Sequence, residues 1–435
     1  MAPHRSPIPE RPAPVRWGLA CLRVVGSLYI ALGLLLVLTL VLAWATLLDQ
    51  SYGEAAARFG VYGSWWFTVL GFLLAANILA ALLVRLPWKR SQLGFVVAHA
   101  GLLVLLLGSL VTRQRGVEAM LALFEHRSAS LAYQDSQHFE LQVLKQGEPK
   151  PDAGQQDPIR VPFQPGPFNW DDYERLGWFP WRLAHRDQGV LYDRDGIRLE
   201  VVDYCANSEV SAQSSAGASS ADVVVRPMPP DKMVGNLHKR QVRVRLTVDD
   251  ATEEFWLGNS SDDPMERFRA PVPPNLRKVV GGIGRSVAIT LRPDQLDLGV
   301  EVKLHEAQQR LDPGSSRPSH YSSRVDFLAL AGESDSARRA GLPLRDVTIK
   351  MNSPADVTDP RTGRSYRLFQ SGMQPAFSVQ MLGLQPVDEI EGPIHASYLS
   401  VNYDPGRMLK NAGCLLIVLG VFLRYYVRTS RQRQP

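Results

Sequence analysis

The sequence predicts an integral membrane protein. It has four transmembrane α-helices, three N-terminal and one C-terminal, and a large all-β extracytoplasmic domain inserted between the third and the fourth. Three observations carry this prediction. Long uncharged apolar runs recur near both ends of the 435 residues. Basic residues cluster where those runs stop. Between the third and fourth runs, apolar and polar residues alternate with the period of a half-buried strand.

Whole-chain averages hide this division. A 45% hydrophobic content, a net charge of +5, a mean hydropathy of -0.11 and a pI near 9.1 describe an ordinary soluble chain. The 34 Gly, 31 Pro and 3 Cys exclude collagen-like, disordered and disulfide-framework classes. Located along the chain, the charge is +11 over residues 1–113 and 410–435 together, and −6 over 114–409. A basic apolar frame surrounds a mildly acidic insert, so the nucleic-acid partner that the pI suggests is set aside.

Residues 1–23 read as a cytoplasmic N-terminus, and 24–48 as the first span. An extracytoplasmic loop at 49–64 leads to the second span at 65–84. A cytoplasmic loop at 85–92 precedes the third span at 93–111. The insert occupies 112–407, the fourth span 408–427 and a cytoplasmic tail 428–435. Each run is long enough for a hydrocarbon core of about 30 Å at about 1.5 Å per residue. In the fourth, Lys410 and Arg424 are expected to snorkel to the two interfaces. The first could be read as a cleaved signal peptide at Ala43-Trp44-Ala45, but its apolar stretch is about twice the usual length of such a region.

The orientation follows from the cations. Arg5, Arg11, Arg16 and Arg23 precede the first span, and Arg85, Lys89 and Arg90 lie between the second and third. Arg424, Arg428, Arg431 and Arg433 close the fourth. The positive-inside rule puts all three groups, and both termini, in the cytoplasm. Trp17, Trp44, Trp65, Trp66, Trp88, Tyr425 and Tyr426 fall at span ends, where an aromatic belt is expected.

In the insert, Gln241–Val248 reads QVRVRLTV, Asp249–Thr252 turns, and Glu253–Gly258 returns, a hairpin signature. Ser286–Leu291, Gly299–His305, Arg324–Leu330, Asp346–Met351, Ser365–Phe369, Ala376–Met381 and Ser397–Tyr403 are further strands. A sandwich or curled sheet follows from their spacing. Asn207–Ala221 and Pro313–Ser323 read as mobile loops.

The insert offers little chemistry. Cys205 is its one cysteine, and a buried inert thiol competes there with a redox-active one. Trp170, Trp178 and Trp181 read as core or as an aromatic ligand patch. The neighbouring pairs Asp171-Asp172 and Asp262-Asp263 cap turns more often than they catalyse. Gly281-Gly282-Ile283-Gly284 is too short for a phosphate cradle. His126, His138, His185, His238, His305, His320 and His395 have no partners at metal-ligand spacing.

His99 is different, because it lies six residues inside the third span. An ionisable group there is costly unless it is paired or faces a cavity, which makes function the default hypothesis. A neutral imidazole suits haem iron, one nitrogen coordinating while the other donates a hydrogen bond. Asn77 shares its depth on the antiparallel second span, and its side-chain oxygen is expected to accept from His99 and fix the tautomer. The competing reading is that each polar group bonds a neighbouring helix. Gly26 and Gly33, Gly94, Gly101 and Gly108, and Gly413 and Gly420 recur every seven positions, which is expected to pack backbones closely.

The stretch YGSWWFTVLGFLLAANILAALLVR (Tyr62 to Arg85) resembles the second span of the ResB-like, or CcsB, cytochrome c biogenesis proteins. GFVVAHAGLLVLLLGSLV (Gly94 to Val111) resembles their histidine-bearing third span, and SVNYDPGRMLKNAGCLLIVLGVFLRYYV (Ser400 to Val427) their Asp-Pro-Gly lead-in to the last. IKMNSPADV and YRLFQSG, within Ile349 to Gly372, are similar to the family's late β-segment. The resemblance implies a multi-pass protein of the bacterial cytoplasmic (inner) membrane. It implies work with a CcsA-like partner that carries a tryptophan-rich WWD segment and the second axial ligand. Together they would carry haem b across the membrane and present it to apocytochrome c. His99 would ligate the iron transiently, with Asn77 supporting it, and a thioredoxin-like thiol reductant and membrane lipid are further implied partners. Ser64-Trp65-Trp66-Phe67 matches the family's interface segment and not the WWD segment. Two readings outside haem transport remain at this point: a membrane-anchored scaffold whose β-domain binds another envelope protein, and a tethered hydrolase or sugar-binding module.

Overall fold

The computed structural model describes residues 20–145, 157–172, 187–212, 223–228, 240–259, 276–314, 318–330, 332, 334–377 and 394–427. Arg5, Arg11, Arg16, Trp17, Trp178, Trp181, His185, His238, Asp262, Asp263, Arg428, Arg431 and Arg433 lie outside these residues, as do most of the Asn207–Ala221 loop and the end of the Ala376–Met381 strand. The chain divides into a helical frame on either side of the insert and a β unit, Val117–Tyr403.

The frame holds four helices long and apolar enough to cross a membrane. They are α1 (Leu28–Tyr52), α2 (Trp65–Leu83), α3 (Leu93–Arg115) and α4 (Arg407–Phe422), the last continued by a wide turn over Leu423–Val427. The first helix starts four residues later than its apolar run. Extended backbone at Ser27 interrupts the helix there, and the Ser27 hydroxyl caps α1 by accepting from the Ile30 N–H at 3.3 Å. The expected loop at 49–64 is largely helical: α1 runs on to Tyr52, then Glu54–Ala57 and Arg58–Tyr62 coil. Ala57 and Val61 from this segment bury with Ala45 and Leu48, and Trp44 stacks on Trp66 at 6.2 Å. Those two tryptophans are part-buried against this cluster.

Small residues set the helix spacing. An added Cβ on Gly101 would stand 2.8 Å from the Gly413 carbonyl oxygen and the Ile417 nitrogen of α4. One on Gly108 would meet the Lys410 nitrogen at 2.8 Å, and one on Gly413 the Leu105 nitrogen at 2.7 Å. The α3–α4 seam is therefore backbone against backbone, as the heptad of glycines predicts. Gly26 lies equally close to Ala80 and Ala81 of α2, whereas Gly33 faces open space.

Lys410 reaches back past the start of α4. Its Nζ donates to Asp404 Oδ2 at 2.6 Å, while the Thr112 hydroxyl and the Gly406 N–H donate to Oδ1 at 2.5 and 3.0 Å. A carboxylate just before α4 thus satisfies a helix-start donor, pairs a cation and ties α4 to α3.

The β unit is built on two long strands, β2 (Ser128–Lys145) and β11 (Arg285–Leu311). Its large sheet runs β13 (Leu344–Lys350), β12 (Pro318–Ala329), β11, β2, β1 (Val117–Phe124), β16 (Ile394–Tyr403), β15 (Ser365–Phe377), β14 (Ala355–Thr358). It curls so that Val325, Phe327 and Ile349 from one side share a core with Tyr366 and Leu368 from the other. β3 (Ile159–Phe163) pairs with β2, and β10 (Arg277–Gly281) with β11. A four-stranded sheet, β4 (Gly189–Arg194), β5 (Ile197–Cys205), β8 (Gln241–Val248) and β9 (Ala251–Gly258), buries Leu199, Val244 and Leu257. β6 (Ser208–Ala212) and β7 (Val223–Pro227) pair separately. Val117 lies opposite Tyr403, so the insert begins and ends on neighbouring strands.

Three expectations need correction. The hairpin turn is two residues, with Asp249 at φ 53°, and β9 starts at Ala251. Ser286–Leu291 and Gly299–His305 are one strand, whose register against β2 shifts near Pro293 and again over Asp297–Val302, where Gly299 adopts φ 69°. Of Pro313–Ser323, the residues from Pro318 onward belong to β12. Ser334–Arg339 forms a short helix within the insert.

Candidate functional site

His99 sits on the second turn of α3, half-buried. Its Nδ1 lies 3.0 Å from the Phe95 carbonyl oxygen one turn back. A carbonyl only accepts, so Nδ1 carries the proton, and a neutral ring then keeps its lone pair on Nε2. The Phe95 ring lies tilted against the imidazole with centroids 3.8 Å apart, and the Arg85 guanidinium lies 3.8 Å from the Phe95 ring centroid. The ring is thus held in place by its own helix.

A cleft of 380 Å³ opens beside it, lined by Arg85, Phe95, His99, Arg424 and Tyr425. Gly94, Ala98 and Gly420 also line it. The small residues that bring α3 against α4 leave room at the end of the seam, and the wide turn after α4 carries Arg424 and Tyr425 to the same opening. An imidazole nitrogen beside an apolar cleft within a span can ligate a metal centre held in a flat apolar molecule.

Asn77 does not join this arrangement. Its amide nitrogen donates to the Val25 carbonyl at 2.6 Å and the Ser27 carbonyl at 3.3 Å, across to the first span. The break at Gly26–Ser27 exposes the Val25 carbonyl, and Asn77 supplies its donor. The hydrogen bond expected from the shared depth of Asn77 and His99 is absent among the described residues; the Phe95 carbonyl takes that role. Sequence reasoning missed Phe95, Arg85 and Arg424 as neighbours of His99.

The β unit adds no comparable centre. Among the described residues, no group of three or more His, Cys, Asp or Glu side chains could hold a metal. His138 Nδ1 contacts Asp294 at 2.6 Å, His305 Nε2 contacts Asp326 at 3.0 Å and His395 Nδ1 contacts Glu125 at 3.1 Å. Each pair fastens neighbouring segments. Cys205 is buried, and burial, with Asp203 nearby, pushes its thiol up to about 12. A neutral buried thiol is a poor nucleophile for exchange. Trp170 is core, packed on Tyr204 with its Nε1 donating to the Pro165 carbonyl at 3.3 Å. Asp172 accepts from the Asn169 amide at 3.1 Å in a turn. Gly281–Gly284 forms the bend between β10 and β11.

No family model matches the chain. Over 414 residues it is 38% identical to Protein NrfI of Wolinella succinogenes, a match that takes in 94% of this chain and 35% of that protein. The chain is similar to NrfI. It spans about a third of the length of this curated relative. The likeness to NrfI reaches beyond the helices, because 414 aligned residues must include the β unit as well as the frame.

Proposed function

We propose that the chain is a ResB-like membrane subunit of cytochrome c maturation that holds haem on His99 during its passage across the membrane. The observation that carries this reading is the His99 ring itself: inside an apolar span, beside a cleft, with Nδ1 committed to the Phe95 carbonyl and Nε2 left for iron. The likeness to NrfI supports a role in cytochrome c maturation, and the ResB-like motifs of the second, third and fourth spans support the finer assignment.

Haem is the cargo in this reading. It enters from the cytoplasmic side or laterally, and His99 Nε2 supplies one axial nitrogen. A CcsA-like partner supplies the other, and the pair presents haem to apocytochrome c. The basic span ends keep the cleft near the cytoplasm and the β unit outside, by the positive-inside rule.

The test is co-expression of the full chain with a CcsA-like protein, followed by absorption spectroscopy of the purified complex. His99→Ala removes or shifts the Soret band, and added imidazole restores it. An unchanged band and haem yield in His99→Ala refutes the assignment and leaves the scaffold reading.

A further inference from the structure

We propose that Arg85 and Arg424 form the carboxylate-binding end of the His99 cleft, so that a haem bound there sets its two propionates on the two guanidinium groups and its iron toward Nε2. This deepens the reading above and rests on it.

Arg85 and Arg424 both line the cleft that His99 lines, and no Asp or Glu does. Neither arginine has an ion-pair partner among the described residues. The frame's described acids lie elsewhere along its helices: Asp49 at the far end of α1, Glu54 just beyond it, and Asp404 before the start of α4. Arg424 stands about 20 residues after Asp404, on the order of 30 Å along a helix at about 1.5 Å per residue. Lys410, by contrast, is neutralised by Asp404 at 2.6 Å. Two cationic residues and a nitrogen lone pair lining one cleft suit a flat ligand that is anionic at one edge and carries a metal at its centre.

The Arg85 stack supplies a second argument. Its guanidinium lies 3.8 Å from the Phe95 ring, which lies 3.8 Å from the His99 ring. Stacking uses the face of the guanidinium and leaves its N–H fork, in the plane, free for a carboxylate.

Lipid phosphates present the same anionic chemistry, so the test separates the two sources. The full chain, co-expressed with its CcsA-like partner, is placed in nanodiscs of purely zwitterionic lipid, and in others containing an anionic lipid. Haem and haem dimethyl ester, whose carboxylates are blocked, are compared by their rate of loss to apomyoglobin. Wild type is expected to hold haem more tightly than the ester by roughly tenfold or more, the size of a charge-assisted hydrogen bond. R85Q/R424Q loses that preference in both lipids, with the ligand-dependent band position unchanged. R85K/R424K, which keeps the topogenic charge but not the fork, retains only part of it and serves if the glutamine variant fails to insert. An undiminished preference in both variants, or one that depends on the anionic lipid and not on the ligand's carboxylates, overturns the proposal and leaves the His99 reading intact. A wild-type complex with no His99-dependent band overturns both.

Discussion

The α3–α4 seam makes a prediction with an internal control. In Gly101→Ala, the new Cβ would stand 2.8 Å from two backbone atoms of α4, whereas ordinary contact begins at 3.4 Å. The helices must part by about 0.6 Å, because neither a carbonyl nor an amide inside a helix can swing aside as a side chain can. Gly94 and Gly108 hold the same seam on either side, so the opening cannot be absorbed by a local tilt. Overpacking of this kind costs about 1–3 kcal/mol, roughly a five- to 150-fold fall in the folded fraction. Gly33→Ala is the control, since nothing lies within 4 Å of its added Cβ. There the gain in helix propensity, about 1 kcal/mol, acts alone. Titrating sodium dodecyl sulfate into mild-detergent micelles, with limited proteolysis as the readout, should shift the two midpoints in opposite directions. A Gly101→Ala protein as stable as the Gly33→Ala protein would refute the backbone-contact reading of the seam.

Asn77→Ala should lower stability by about 1 kcal/mol through the unsatisfied Val25 carbonyl and, if the proposed haem binding holds, leave a His99-dependent Soret band where it is; a shifted band would count Asn77 in the proposed site. Cys205 should resist a thiol reagent in the folded chain and react once denatured. Its raised thiol favours the protonated folded form, so its contribution is present below the ordinary thiol range and is lost as pH climbs toward about 12. Rapid labelling of the native protein at pH 8 would contradict this. Burial alone would raise the Asp404 carboxyl, but Lys410 and Thr112 outweigh it and hold it below the usual carboxylate range. A depressed value stabilises above the unfolded pKa and is lost as pH falls through the folded one, so wild type should loosen below about pH 4. Asp404→Asn should be weaker at neutral pH and flatter in that acid window; an identical acid profile in both proteins counts against the tie.

The division between legible and illegible features follows from the physics each depends on. QVRVRLTV located β8 to the residue because the two faces of that strand differ in burial from Val242 to Val248. VEAMLALF, which forms β1, shows no such alternation: its apolar residues run together, and a helix would accommodate them as well. Leu291 and Gly299 read as strand ends, with Pro293 between them, because proline and glycine break ladders locally, but a 27-residue strand absorbs both at register shifts against β2. The Trp44–Trp66 contact was not legible because the sequence shows a span end and not the coil packed against it.

The site shows the same limit in a sharper form. Counting residues from a span end gives a side chain's depth, and by that measure Asn77 and His99 match. Depth says nothing about azimuth, which helix packing alone decides. Here the glycine seam turns α3 toward α4, so His99 opens onto a cleft lined by Arg424 and Tyr425, while Asn77 faces the break in the first span. A partner one turn back, such as the Phe95 carbonyl, is available to every helical residue and leaves no mark in the sequence. The seven-residue glycine repeat therefore carried more functional information than its reading as packing suggested. The spacing that allows close approach also determines which groups share the histidine's cleft, and a substitution at the seam should reshape that cleft as well as loosen the fold.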